Sequence, residues 1–201
     1  MSRDGPILLT GYGPFAHHKV NGSWVVVQEL NSIGVKHKDE TVPLVIKEIP
    51  VVYDAVHEQV PKLWSEHKPR LCIHTGVSHY TELKIEQYAR NSVYFPPDVN
   101  GKCPEKYECE AGGPIRHETT INVQLICDGA NKRQNDVTVL VSQDAGNYLC
   151  EFIYYKSLHV GTSPTLFVHF PTIGKPYTST QMAIGLKHIV ETILDNEMDK
   201  M

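Results

Sequence analysis

Three side chains in this sequence could together hydrolyse an acyl bond through a covalent intermediate, and Cys150 is the first of them. Val137, Val139, Leu140 and Val141 read as a short buried strand. Ser142-Gln-Asp-Ala-Gly146 breaks it, and the apolar, aromatic run from Tyr148 to Tyr155 reads as a helix with Cys150 in its opening turns. A cysteine in that position meets the positive end of the helix dipole, which favours thiolate, the nucleophilic form. The second candidate is His169, at the end of the strand-like run Thr165-Leu-Phe-Val-His169. A cysteine at a helix start and a histidine at a strand end are two parts of a cysteine-hydrolase site. The third is Glu86. In Thr81-Glu-Leu-Lys-Ile-Glu86-Gln-Tyr-Ala89, Leu83, Ile85 and Gln87 face one way and Glu82, Lys84 and Glu86 the other. At a cleft edge Glu86 would point into the cleft; elsewhere it would sit on a solvated face. Each has a plainer reading: Cys150 as a small core hydrophobe, His169 as a satisfied buried histidine.

The elements that must position these residues follow from periodicity. Ile7 to Thr10 reads as a first strand, closed by Gly11-Tyr-Gly-Pro-Phe15. That loop matches the letters of a dinucleotide-binding fingerprint through Ala16 and is read otherwise. Pro14 has no N–H for a phosphate, Phe15 is bulky where the backbone must approach it, and no acidic residue ends a second strand about 20 residues on. Aromatics and glycines suit an apolar pocket wall, or a plain turn with Phe15 in the core. Asn21 or Ser23 caps a helix over Trp24 to Leu30. Val42 to Val51 reads as a strand whose ends or edge Pro43 and Pro50 mark. Tyr53 to His67 is a helix with Val56, Val60, Leu63 and Trp64 on one face, which Pro61 kinks or splits. Arg70 to Thr75 is a buried strand closed by Gly76. Phe95 to Gly113 is an aperiodic surface loop with two surface thiols, Cys103 and Cys109. Thr119 to Asn131 is a helix, with Ile121, Leu125 and either Cys127 or Ile126 inward. The last helix opens at Thr178-Ser-Thr180 and carries the stripe Met182, Ile184, Leu186, Ile189, Val190, Ile193 and Leu194. Strands alternating with helices predict an α/β class: an α/β/α sandwich with a central, mostly parallel (mixed) sheet.

Composition bounds the rest. A chain of 201 residues, 41% apolar and 21% charged, predicts one ordinary globular domain over residues 1–201. A formal net charge of -4 offers no basic footprint for nucleic acid. No apolar run reaches the ~18 residues of a membrane span, and Ile7-Leu-Leu9 is too short for a signal-peptide core. Five cysteines, an odd number, do not form a disulfide framework, so a reducing cytosol is expected. Cys103 and Cys109 lack partners in metal-finger spacing, so no metal site is expected. The remaining histidines, including His17, His18 and His74, read as surface or scaffold, and Cys72 as core.

Several blocks, in order, carry a resemblance: Thr10-Gly-Tyr-Gly-Pro-Phe15, Val20-Asn-Gly-Ser-Trp24, Leu83-Lys-Ile-Glu86, Ser142-Gln-Asp-Ala-Gly-Asn-Tyr-Leu-Cys150 and Phe167-Val-His-Phe-Pro171. Along nearly its whole length the chain resembles the pyroglutamyl-peptidase I family, cysteine peptidases that remove N-terminal pyroglutamate. Gly174-Lys-Pro-Tyr177 looks most like the animal members. The resemblance implies an α/β/α sandwich, a Glu86–Cys150–His169 triad, a cytosolic enzyme with no metal or organic cofactor, and small peptides with N-terminal pyroglutamate as partners. It also implies that Tyr12 and Phe15 wall the pyroglutamyl pocket, with Asn21 and Tyr148 beside it. Bacterial members carry an arginine ten residues after the glutamate; here that position is Pro96, and Arg90 cannot be assigned its role.

Pyroglutamate is an uncharged N-terminus, so its pocket should be apolar with a few polar groups for the lactam. Tyr12 and Phe15 could sandwich the ring; backbone groups near Gly76 and the Asn21 side chain could serve the lactam or hold the loop. A catalytically weak or inactive pyroglutamyl-peptide binder of the same fold, and a cysteine hydrolase of other specificity, are the alternative functions. A phosphorylase is disfavoured because no phosphate-cradling loop is found. A homo-oligomer is left open.

Overall fold

The computed structural model describes residues 5–15, 20–91, 94–133 and 136–198. Ala16, His17 and His18 lie outside the described residues. The strands are Ile7–Tyr12 (β1), Lys36–His37 (β2), Glu40–Thr41 (β3), Leu44–Ile49 (β4), Leu71–Val77 (β5), Leu83–Glu86 (β6), Tyr88–Arg90 (β7), Arg116–Glu118 (β8), Val139–Ser142 (β9) and Thr165–Phe170 (β10). The helices are Gly22–Ile33 (α1), Tyr53–His67 (α2), Val123–Lys132 (α3), Leu149–Val160 (α4) and Ser179–Ile193 (α5).

Six strands form one sheet in the order β4-β1-β5-β10-β6-β9. β4, β1, β5 and β10 run parallel; β6 pairs antiparallel with β10, and β9 runs parallel to β6. The sheet is therefore mixed but mostly parallel, with helices on both faces, as expected. The inner strands β1, β5 and β10 are buried along nearly their whole length, which is why they read as unbroken apolar runs rather than as alternation.

Alternation within each strand sorts the two faces. Ile7, Leu9, Leu71, Ile73, Leu83, Ile85, Leu166 and Val168 pack with residues of α1, α3 and α5. Leu8, Tyr12, Cys72 and Phe167 face the other way, onto α2 and α4. Each such apolar side chain, fully buried, stabilises the fold by about 1.5–3 kcal/mol. The helix starts are locally encoded. Asn21 caps α1 and Asn122 caps α3, while Thr178 and Gln181 form a capping box on α5.

The structure corrects several local expectations. Gly76 lies inside β5 rather than closing it, since β10 pairs alongside as far as Val77. The alternating run from Thr81 splits into β6 and β7, which belong to different sheets. β7 pairs with β8, a short polar strand too weak in pattern to foresee. Pro61 sits within one uninterrupted helix, α2, whose buried face is packed by Val56, Val60, Leu63 and Trp64. Leu140 is exposed because β9 is the free margin of the sheet. Cys109 is buried rather than a surface thiol, with its Sγ 3.6 Å from the Phe152 carbonyl oxygen. It is carried inward because the 95–113 loop is pinned. Asp98 accepts the Tyr53 N–H at 3.1 Å, Asn91 accepts those of Cys109 and Glu110, and Lys156 pairs with Glu110.

Candidate active site

The face of the sheet under α4 gathers the candidate residues. On β10, Phe167 and His169 point to this face. Because β6 is antiparallel to β10, with Phe167 opposite Glu86 and His169 opposite Lys84, Glu86 and His169 are diagonal neighbours on that face. The His169 Nδ1 lies 2.8 Å from Glu86 Oε1, and both side chains are buried. The carboxylate accepts from Nδ1, which turns Nε2 towards the thiol. The Tyr154 hydroxyl, from α4, donates to the Glu86 carbonyl at 2.9 Å and holds the strand end.

Cys150 comes from above this face. It is the second residue of α4, half-buried, and its sulfur rests over Gly76. In the β5–β10 pairing Gly76 is directly opposite His169. A Cβ on Gly76 would stand 2.6 Å from Cys150 Sγ, so the missing side chain makes the space the sulfur occupies. Gly76 thus provides room for the thiol.

The imidazole carries the electrostatic signature of the group. Burial alone pushes His169 down. The negative charge and hydrogen bond of Cys150, followed by the bond and charge of Glu86, outweigh it and raise His169 to about 9. An imidazolium held between a sulfur and a carboxylate is the ion pair a thiol nucleophile needs. Tyr148, the N-cap residue of α4, makes no side-chain cap bond, so the first-turn N–H groups have no intrahelical acceptor. The Cys150 N–H is one of them, an available oxyanion donor.

Beside the thiol opens a cavity of about 310 Å³. Phe15, Val51, Val77, Tyr148 and Ile173 make apolar walls; Asn21, Thr172 and Cys150 add polar groups. Phe15 and Tyr148 rings lie 5.8 Å apart at 55°, flanking the mouth. Tyr12 also lines the cavity, but its ring is buried and its hydroxyl donates to the Leu149 carbonyl, so it holds the first turn of α4. Asn21 donates to the Gly13 carbonyl at 3.1 Å and accepts from the Ser23 N–H and hydroxyl. Its amide therefore ties Gly13 to the start of α1. Sequence reasoning missed Val77, Thr172 and Ile173, although all three follow candidate residues at strand ends, where crevices form in such sheets.

The other cysteines and histidines play different parts. Cys72 is a core residue, as expected, and burial pushes it up to about 12. It lies 3.3 Å from His74 Nε2, while His74 Nδ1 is bonded to Thr10 Oγ1 at 2.7 Å. Burial holds His74 down at about 3, which makes it a neutral scaffold link. Cys103 and Cys109 each engage a different backbone carbonyl. Among the described residues, no three His, Cys, Asp or Glu side chains are gathered as for a metal ion, and no helix is long and apolar enough to cross a membrane.

A thiol hydrogen-bonded to an imidazole, the imidazole on a carboxylate, and N–H groups without a side-chain cap at a helix start form the arrangement of a cysteine hydrolase on an α/β/α scaffold. Comparison with known proteins then identifies the kind: over residues 6–195 the chain belongs to the pyroglutamyl peptidase family. It is 40% identical to pyroglutamyl-peptidase 1 of Mus musculus over 189 residues, covering 94% of this chain and 89% of that one. It is likewise 40% identical to pyroglutamyl-peptidase 1 of Homo sapiens over 190 residues, covering 94% and 90%. The fold is similar to that of a mutant pyrrolidone carboxyl peptidase from P. furiosus, with a TM-score of 0.84 at 25% identity, covering 96% of this chain and 99% of that one.

Proposed function

We propose that this chain, as one catalytic domain, hydrolyses the bond after an N-terminal pyroglutamyl residue through Cys150, His169 and Glu86. The observation that carries the reading is the single line from Glu86 through His169 to a sulfur seated over Gly76. The Cys150 thiolate attacks the carbonyl carbon joining pyroglutamate to the next residue. The resulting oxyanion faces the Cys150 N–H. The His169 imidazolium gives its proton to the departing amine, the C–N bond breaks, and a thioester remains. Neutral His169 then takes a proton from water, whose oxygen attacks the thioester. Free pyroglutamate leaves and the thiolate is restored. Glu86 keeps the imidazole in the productive tautomer throughout.

Specificity follows from the cavity. Apolar walls, with no acidic side chain among the described residues that line the cavity, suit a lactam, which lacks the ammonium that an ordinary aminopeptidase grips. Five free cysteines fit a reducing compartment such as the cytosol. The test is a panel of aminocoumarin amides bearing pyroglutamyl, prolyl and glutaminyl groups. The reading expects turnover of the pyroglutamyl amide alone. Equal turnover of the prolyl amide would contradict it, and binding of pyroglutamyl peptides without turnover would mean a binder.

A further inference from the structure

The segment that carries Glu86 also holds the loop before the nucleophile. Gln87 donates its N–H to the Ser142 carbonyl at 2.9 Å and accepts from the Gln143 side-chain amide at 2.8 Å. Arg90, at the end of β7, reaches further. Its Nε donates to Glu151 Oε1 at 2.8 Å, and its backbone N–H donates to the same oxygen at 3.1 Å. Its Nη2 donates to Asp144 Oδ1 and, at 3.0 Å, to the Gly146 carbonyl. One side chain thus ties two points of the 142–148 loop to the residue after Cys150.

Such a tie is needed there. The N-caps of α1, α3 and α5 accept first-turn N–H groups with their own side chains, and the Tyr53 N–H that opens α2 is bonded to Asp98. α4 has no side-chain cap. Glu151 stands where a capping-box glutamate would reach back to the helix start, but it turns to Arg90 instead. The loop before it turns through Gly146 at φ 92°, a region that favours glycine. Glu151 is fully buried, and its Oε2 has no hydrogen-bond partner among the described residues, so its charge depends on the guanidinium.

We propose that Arg90 is a positioning residue, clamping Asp144, Gly146 and Glu151 so that Cys150 and its N–H stay aligned on His169; this rests on the site assignment above. Burial lifts Glu151 to about 7 against the pull of Arg90, which fits a carboxylate that loses its charge once the arginine is gone.

The test compares Arg90→Ala, Arg90→Lys and Asp144→Asn with wild type and with Cys150→Ala. The readouts are kcat and KM on a pyroglutamyl-aminocoumarin, inhibition by pyroglutamyl aldehyde, and binding of free pyroglutamate. A misplacement of about 1 Å costs on the order of 100-fold. Arg90→Ala should therefore lose about that much kcat and weaken the aldehyde in parallel, since only the hemithioacetal uses the aligned sulfur and N–H. KM and pyroglutamate binding should stay within about threefold. Arg90→Lys, which keeps the charge but not the fork, should fall between. An Arg90→Ala kcat within about twofold of wild type overturns the clamp, as does an equal loss of pyroglutamate binding. Should Arg90→Ala not fold, an unchanged kcat in both Arg90→Lys and Asp144→Asn overturns it. Activity in Cys150→Ala would instead sink the site assignment itself.

Discussion

Gly76→Ala tests the geometry of the site with one methyl group. A Cβ there would lie 2.6 Å from Cys150 Sγ and 2.9 Å from Phe167 Cζ. Ordinary contact between such atoms is about 3.5–4.0 Å, so the sulfur must retreat by about 1 Å. The Phe167 ring cannot yield in its place, because it is fully buried in the core under α4. A displacement of about 1 Å at the reacting atom costs on the order of 100-fold in rate, equivalent to about 2.7 kcal/mol in the barrier. Overpacking adds about 1–3 kcal/mol of destabilisation. The assay is kcat/KM on a pyroglutamyl-aminocoumarin alongside thermal unfolding. A double-mutant cycle locates the clash. In a Cys150→Ala background the alanine methyl no longer meets Sγ, so the stability cost of Gly76→Ala should shrink to the Phe167 part. Gly76→Ala with unchanged rate and unchanged Tm would refute the placement of the thiol over β5.

Further expectations follow from the same contacts. Glu86→Gln removes the charge that helps hold His169 up at about 9, so the imidazole should titrate lower and kcat should fall by roughly 10⁴-fold, the scale seen when a triad carboxylate becomes an amide; a kinetic pH profile reads both. In the wild type, His169 is raised above its ordinary value of 6.5, so its contribution to stability should be complete below that value and vanish as pH rises through about 9. The alkaline limb of kcat/KM should fall in the same range, and a flat profile across it would count against the ion pair. Tyr12→Phe removes the hydroxyl that donates to the Leu149 carbonyl. It should cost about 1 kcal/mol of stability, measured by denaturant unfolding, and lower kcat more than it raises KM.

The fold was legible where burial is symmetrical or capping is local. β1, β5 and β10 announce themselves as apolar runs because helices cover both sides, and Asn21 and Thr178 mark helix starts by chemistry confined to one turn. The family was legible from blocks spread along the chain, and residues 6–195 match it. The meeting of site residues was not legible from the residues alone. Glu86 and His169 are 83 positions apart, and their contact depends on the antiparallel register of β6 on β10, which no local pattern announces. Gly76 looked like a strand terminator because nothing in its neighbours shows that a sulfur lies over it. The contacts of Arg90 were not legible because its partners, Asp144, Gly146 and Glu151, lie more than 50 residues away. Cys109 misled for the opposite reason: a polar, proline-rich setting gave no hint that Asn91 draws its backbone inward.

The most direct measurement of the central claim is release of aminocoumarin from its pyroglutamyl amide, in reductant, by wild type beside Cys150→Ala, with folding of both verified by circular dichroism. Release by the wild type and none by the variant is the predicted result. Release by both would remove Cys150 as nucleophile and with it the line from Glu86 through His169.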